Sequence, residues 1–235
     1  MIGSIRWLLE WLGQRGVIVY AAVLIVVGGT LGFIHLTDEV RDGDTRQFDA
    51  TVIWWMSQWH GPDHRMLEEI GRDITALGGI AILAICTLGV AGFLFMERRF
   101  AAMWLILIAT TGGLLLSSLL KWLINRDRPS FGEPLSYVYT TSFPSGHSMM
   151  SAVVYLTLGG LLSRITQERS VKLYFILIAL MITFLVGLSR VYMGVHWPTD
   201  VLAGWTAGLV WAILCWLVAR HLQRRGAVED EPSPP

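Results

Sequence analysis

Charge is scarce in this chain: only 15% of its 235 residues are Asp, Glu, Lys or Arg, while 54% are hydrophobic. An ordinary soluble domain carries about a quarter of its residues charged, so the composition excludes one and points to lipid. Net charge is missing too, with 18 basic residues against 18 acidic, and no global basic field marks nucleic acid as a partner. Cysteine is nearly absent. Cys86 and Cys215 each sit inside a long apolar run, the setting of a small hydrophobe rather than of a disulfide or metal ligand. Internal repeats and low-complexity tracts are lacking, and nothing marks off a separate soluble domain.

What is present is tryptophan and long apolar runs. Of 11 tryptophans, Trp7, Trp11, Trp54, Trp55, Trp59 and Trp197 lie near the ends of such runs, as interface anchors do. Crossing the hydrocarbon core takes about 20 apolar residues in helical form. Six runs qualify: 16–36, 74–96, 100–120, 147–163, 173–189 and 200–219. The first is followed directly by His35-Leu36-Thr37-Asp38-Glu39, with no small-residue cleavage signal, and reads as an uncleaved anchor. Between the first two runs, Phe48, Val52, Trp55, Met56 and Trp59 recur at helical spacing, which predicts an amphipathic helix at the outer interface. Ile5, Leu8, Leu9 and Leu12 repeat that periodicity at the start of the chain. The fold class expected is therefore all-α, a six-span bundle forming one domain over residues 1–225. Residues 226–235, acidic and proline-rich, read as a disordered tail.

Orientation follows from basic residues. With the N-terminus inside, the inner segments hold ten of the eighteen, and the outer ones hold Lys121, Arg128 and Arg190 among their eight. Setting those three aside, because the chemistry below gives them a reason to be there, leaves ten against five and places both termini inside.

Ionisable groups at span ends are costly unless they pair or meet a polar cavity. Lys121 ends the third run, Arg128 follows it, His147 opens the fourth, Arg190 closes the fifth, and His196 and Asp200 precede or open the sixth. Alternation of spans puts all six on one face. Three cations around one pocket repel unless an anion neutralises them, and a phosphoryl group has the acceptors to do so. Phe143-Pro144-Ser145-Gly146-His147 leads into a helix whose first N–H groups, with the Ser145 hydroxyl, are suited to that anion. His196 and Asp200 stand four apart, so the carboxylate can accept the imidazole N–H, fix its tautomer and raise its nucleophilicity. His147 is then free to protonate the leaving group. No metal or cofactor is required by this set.

Each of these residues has a plainer reading alone. Lys121, Arg126 and Arg128 are placed as snorkelling cations, Asp200 as a helix-start charge, Ser145 as a cap, and an isolated histidine as an interfacial or packed one. His60, Asp63 and His64 suggest zinc, but without a convincing ligand set. Residues 73–79, rich in small side chains, read as close packing or pocket lining.

Taken jointly, three blocks are specific: Lys121-Trp-Leu-Ile-Asn-Arg-Asp-Arg128-Pro129, Pro144-Ser145-Gly146-His147, and Ser189-Arg190-Val-Tyr-Met-Gly-Val-His196-Trp-Pro-Thr-Asp200. The chain resembles the type 2 phosphatidic acid phosphatase superfamily, whose motifs these match in order from Lys121 to Asp200. The resemblance implies that Lys121, Arg128 and Arg190 hold phosphate, with Ser145 and the Gly146 N–H assisting. It implies His196 as nucleophile, Asp200 as its partner and His147 as general acid. Soluble relatives include vanadate-dependent haloperoxidases, but six spans and small size favour the membrane lipid phosphatases. Bacterial members of this topology act on undecaprenyl pyrophosphate, phosphatidylglycerol phosphate, phosphatidate or lipid A phosphates at the periplasmic side of the inner membrane. The expectation is a metal-independent lipid phosphatase working through a phosphohistidine. Alternatives are a lipid phosphotransferase with the same chemistry, a membrane transporter, or a silent scaffold, though no catalytic position is missing.

Overall fold

The computed structural model describes residues 2–129 and 140–224, with side chains from Gly16 onward except those of Pro62, Gln223 and Arg224. The tail at 226–235 and the side chains of Ile5, Leu8, Leu9 and Leu12 lie outside the described set. Among the described residues the fold is all-α, without strands. The helices are α1 (Ile2–Asp42), α2 (Arg46–Ser57), α3 (Arg65–Leu77), α4 (Ile80–Met96), α5 (Phe100–Leu123), α6 (Gly146–Leu162), α7 (Arg169–Tyr192) and α8 (Pro198–Arg224), with a short 3₁₀ turn at Pro62–His64.

Among the described residues four helical stretches are long and apolar enough to cross a membrane: Gly16–Asp42, Phe100–Leu123, Arg169–Tyr192 and Pro198–Leu222. A fifth crossing arises if α3 and α4, bent by 44° at Gly78-Gly79, act as one. α6 is apolar but has only 17 residues. At about 1.5 Å per residue it measures roughly 26 Å, just short of a hydrocarbon core of about 30 Å. Its side chains explain its place. Met149, Met150, Ala152, Val153 and Val154 are all buried, because α6 is the axis around which α4, α5, α7 and α8 pack. The outward faces of the other helices carry large apolar side chains in the open, among them Leu24, Ile85 and Leu115, each more than 70% exposed. Only lipid covers such a surface at low cost.

Small residues set the closest approach. On α8, a Cβ at Gly204 would come within 2.7 Å of the Ser145 carbonyl, and one at Gly208 within 2.5 Å of the Met149 carbonyl. The Gly204-x-x-x-Gly208 spacing puts both on one face of α8, so its backbone can lie directly against α6. That contact brings the start of α8 to the start of α6. At the same end, Ile53 of α2 packs with Val191 of α7 and Val201 of α8. Phe33, Leu36 and Val40 of α1 pack around Ile124, Phe143 and Ala203.

Candidate active site

Four helix ends and two connections meet at this end of the bundle. The α5–α6 connection folds back on α5: Lys121 Nζ donates to the Thr141 carbonyl at 2.7 Å, and the Thr141 hydroxyl returns a bond to the Lys121 carbonyl at 3.1 Å. Arg128 crosses to the α7–α8 connection. It donates from Nε to the Thr140 carbonyl at 2.8 Å and from Nη1 to the Val195 carbonyl at 2.5 Å, with His196 Nε2 3.2 Å away. The Ser145 N–H donates to the Asp200 carbonyl at 2.9 Å, tying the start of α6 to the start of α8.

His196 is 2% exposed. Its Nδ1 lies 3.4 Å from Asp200 Oδ2, so the proton belongs on Nδ1 and the Nε2 lone pair faces the cations. Burial pushes the His196 pKa below its ordinary range. The hydrogen bond and charge of Asp200 oppose this, and Arg128 and Arg190 reinforce it. Arg128 is half-buried, and burial draws its pKa down while Asp200 raises it.

Arg190 is the most unusual cation of the set. It is 2% exposed at the end of α7, one guanidinium nitrogen donates to Thr75 Oγ1 at 2.9 Å, and its Nε has no partner among the described residues. A buried charged donor without a partner is expensive unless a ligand supplies an acceptor. His147, half-buried, lies within electrostatic reach of Arg190, His196, Lys121 and Arg128. Its ring packs at Gly78, where a Cβ would sit 3.2 Å from His147 Cβ and clash with Val186. Gly146 faces Lys121, with 3.5 Å between a Cβ there and Lys121 Cε. Ser145 occupies the α6 N-cap, its hydroxyl oxygen accepting from the Ser148 hydroxyl at 2.9 Å.

All eight side chains and backbone groups predicted for the site therefore gather at one end of the bundle. Four further residues join them. Ser142 donates to Asp200 Oδ2, and Thr75 anchors Arg190. Arg126 joins two carboxylates, donating to Asp200 Oδ1 and to Asp49 Oδ2 at 2.6 Å each. Only Arg126 stood out in the sequence, as a snorkelling cation. The others are ordinary polar residues with no motif, although two of them lie in segments the sequence singles out: Asp49 in the polar stretch before the second run and Thr75 in the small-residue stretch at 73–79. Of the zinc candidates, His60 Nε2 lies 2.6 Å from the Tyr192 carbonyl, and the His64 ring packs on Trp59.

Chemically, the set Lys121, Arg126, Arg128 and Arg190 against Asp49 and Asp200 carries an excess of two positive charges, the complement of a phosphate dianion. A histidine nitrogen directed at that centre with a carboxylate behind it suits nucleophilic displacement at phosphorus.

Residues 101–224 match the family model of the PAP2 superfamily. The chain is 40% identical over 148 residues to phosphatidylglycerophosphatase B of Bacillus subtilis, covering 61% of this chain and 71% of that protein. It is 37% identical over 67 residues to undecaprenyl-diphosphatase of Sulfolobus acidocaldarius, covering 28% of each. Among solved structures, the transmembrane PAP2 type phosphatidylglycerolphosphate phosphatase from Bacillus subtilis superposes with a TM-score of 0.79 at 32% identity, covering 86% of this chain and 98% of that one. LpxE of Aquifex aeolicus shares the fold, with a TM-score of 0.58 at 24% identity over 72% of this chain and 95% of its own.

Proposed function

The chain belongs to the PAP2 superfamily and is a membrane lipid phosphatase, and from that premise we propose that it passes a phosphoryl group through His196 to water at the outer face of the membrane. Lys121, Arg128 and Arg190 hold the phosphoryl oxygens, with the Gly146 N–H and the Ser145 hydroxyl beside them. His196 Nε2 attacks phosphorus while Asp200 accepts the Nδ1–H and stabilises the positive charge that develops on the ring. His147 protonates the departing oxygen. In the second half, His147 removes a proton from water, water displaces His196, and inorganic phosphate leaves. The observation that carries this reading is the buried Arg190, whose Nε has no partner among the described residues and whose charge, like that of Arg128 3.2 Å from His196 Nε2, acts on the His196 ring.

The chain is read as one membrane domain over residues 1–225 with six crossings. α3 and α4 count together, α6 is the short central one, and α2 lies at the interface with Trp54, Trp55 and Trp59 exposed. Both termini then lie on the side opposite the site, which we assign to the cytoplasm of a bacterial inner membrane, leaving the site to the periplasm. The substrate is a lipid phosphate or pyrophosphate of the class named for the relatives, a phosphatidylglycerophosphate or an undecaprenyl diphosphate. Its chains stay in the outer leaflet while its head group docks sideways on the cations.

The test is phosphate release by purified protein from a panel of phosphatidate, phosphatidylglycerophosphate and undecaprenyl diphosphate. His196→Ala is expected to lose at least a thousandfold in kcat while remaining folded in the membrane, as removal of a covalent nucleophile does. Full activity in that variant overturns the assignment. Substrate consumed without free phosphate indicates transfer to a lipid acceptor instead.

A further inference from the structure

Outside the three motif blocks, one carboxylate is buried and saturated with hydrogen bonds beside the site. Asp49 of α2 is 1% exposed. Its Oδ2 accepts from Arg126 Nη2 at 2.6 Å and from the Thr199 hydroxyl at 2.7 Å, and its Oδ1 accepts from the Thr199 N–H at 3.1 Å. Thr199 is the second residue of α8, so Asp49 caps that helix from another element and complements its dipole. Arg126 Nη1 donates in turn to Asp200 Oδ1 at 2.6 Å and to the Thr199 hydroxyl oxygen at 2.8 Å. Asp200 Oδ2 is left to the Trp197 N–H at 2.9 Å, the Ser142 hydroxyl and His196 Nδ1.

We propose that Asp49 is a positioning residue of the catalytic centre, acting through Arg126 to set the orientation and effective charge of Asp200 behind His196. This rests on His196 being the nucleophile.

Two facts favour this over a purely structural ion pair. A buried ion pair is an inefficient way to stabilise a fold, because desolvation cancels most of the attraction. The connectivity is also directional. Arg126 shares its charge between two carboxylates, and Asp200 is one of them. If Asp49 loses its charge, the guanidinium acts on Asp200 alone and weakens its support of His196. If Arg126 loses its charge, Asp200 faces His196 with its full negative charge. The other groups facing His196 are Arg128 and Ser142 from the α5–α6 connection, Arg190 from α7 and His147 from α6, with Lys121 of α5 beyond His147. None of these changes in either variant.

The experiment uses the full chain in lipid nanodiscs with the panel substrate it turns over fastest, recording kcat, KM and the pH profile of kcat/KM. Asp49→Asn, which keeps shape and loses charge, is expected to lower kcat tenfold or more with KM little changed, since small misplacements at a reacting centre cost about that much. Its acid limb moves down by about 0.5 to 1 pH unit, because His196 becomes less basic. Arg126→Gln moves the acid limb up by a similar amount, and the double variant keeps it at the Arg126→Gln position, because Asp49 acts through Arg126; a double variant whose limb returns toward wild type shows independent action and overturns the proposal. Limbs that stay in place, or that shift in the same direction in both single variants, overturn the proposal and leave Asp49 a structural residue. Activity surviving in His196→Ala would instead remove the nucleophile assignment on which the proposal rests.

Discussion

As the proposed nucleophile, His196 must be unprotonated, and burial among cations favours its neutral form. Its pKa lies below the ordinary value of about 6.5, chiefly through desolvation. Protonation is lost as pH rises through the pKa, so a lowered pKa leaves the neutral ring fully populated at neutral pH and well into acid. The acid limb of kcat/KM is accordingly expected below pH 6.5, measured across pH 4 to 8 in a constant-ionic-strength buffer. A limb above 6.5 would mean that Asp200 outweighs burial and the neighbouring arginines. At this scale the sequence was legible wherever residues were chemically out of place. Lys121, Arg128, Arg190, His147 and His196 are costly at the ends of apolar runs, and cost is visible without a structure. Ser142, Thr75 and Asp49 were not visible, because a lone serine, threonine or aspartate in a loop, a small-residue stretch or a polar segment is unremarkable until distant elements converge on it.

Hydropathy located each long helix but not its ends. The first apolar run stops at Leu36, whereas α1 continues to Asp42, because a helix needs backbone partners rather than apolar side chains once it leaves lipid; the Thr37 hydroxyl bonds back to the Phe33 carbonyl within it. The second run, 74–96, is divided between α3 and α4 by the bend at Gly78-Gly79, a feature that composition hints at but does not determine. Tyr155 of α6 donates to the Leu77 carbonyl at 2.8 Å, satisfying an acceptor that the break leaves open. Gly78 then touches both Val186 and His147, so the bend is where α3–α4, α6 and α7 lock together around His147, the proposed general acid. Gly78→Ala places a methyl against the Val186 side chain and within 3.2 Å of His147 Cβ. The expected result is a fall in kcat of about tenfold with the protein still folded, together with a loss of roughly 1 to 3 kcal/mol of stability from overpacking. Steady-state kinetics and thermal unfolding of the same detergent-solubilised sample check both. Unchanged kcat would show that His147 does not depend on this contact for its position.

The whole molecule has two ends of different character. One gathers the start of α6 and of α8, the end of α1, α5 and α7, and all of α2; Arg41 of α1 even reaches the Leu123 carbonyl of α5. The other holds the α4–α5 turn with Arg98 and Arg99 and the α6–α7 turn with Arg164. Each end faces a different aqueous compartment if the bundle crosses the bilayer as assigned. Six crossings with the site outside make a specific prediction in a background where Cys86 and Cys215 are replaced by alanine. Asp127→Cys, exposed beside the site, is expected to react with a membrane-impermeant maleimide in intact cells. Arg99→Cys, exposed at the opposite end, is expected to react only after permeabilisation. The reverse pattern would turn the enzyme round and place its lipid phosphate in the inner leaflet. Labelling of both positions from outside would mean an even number of crossings between Arg99 and Asp127, and α5 would then not span the bilayer.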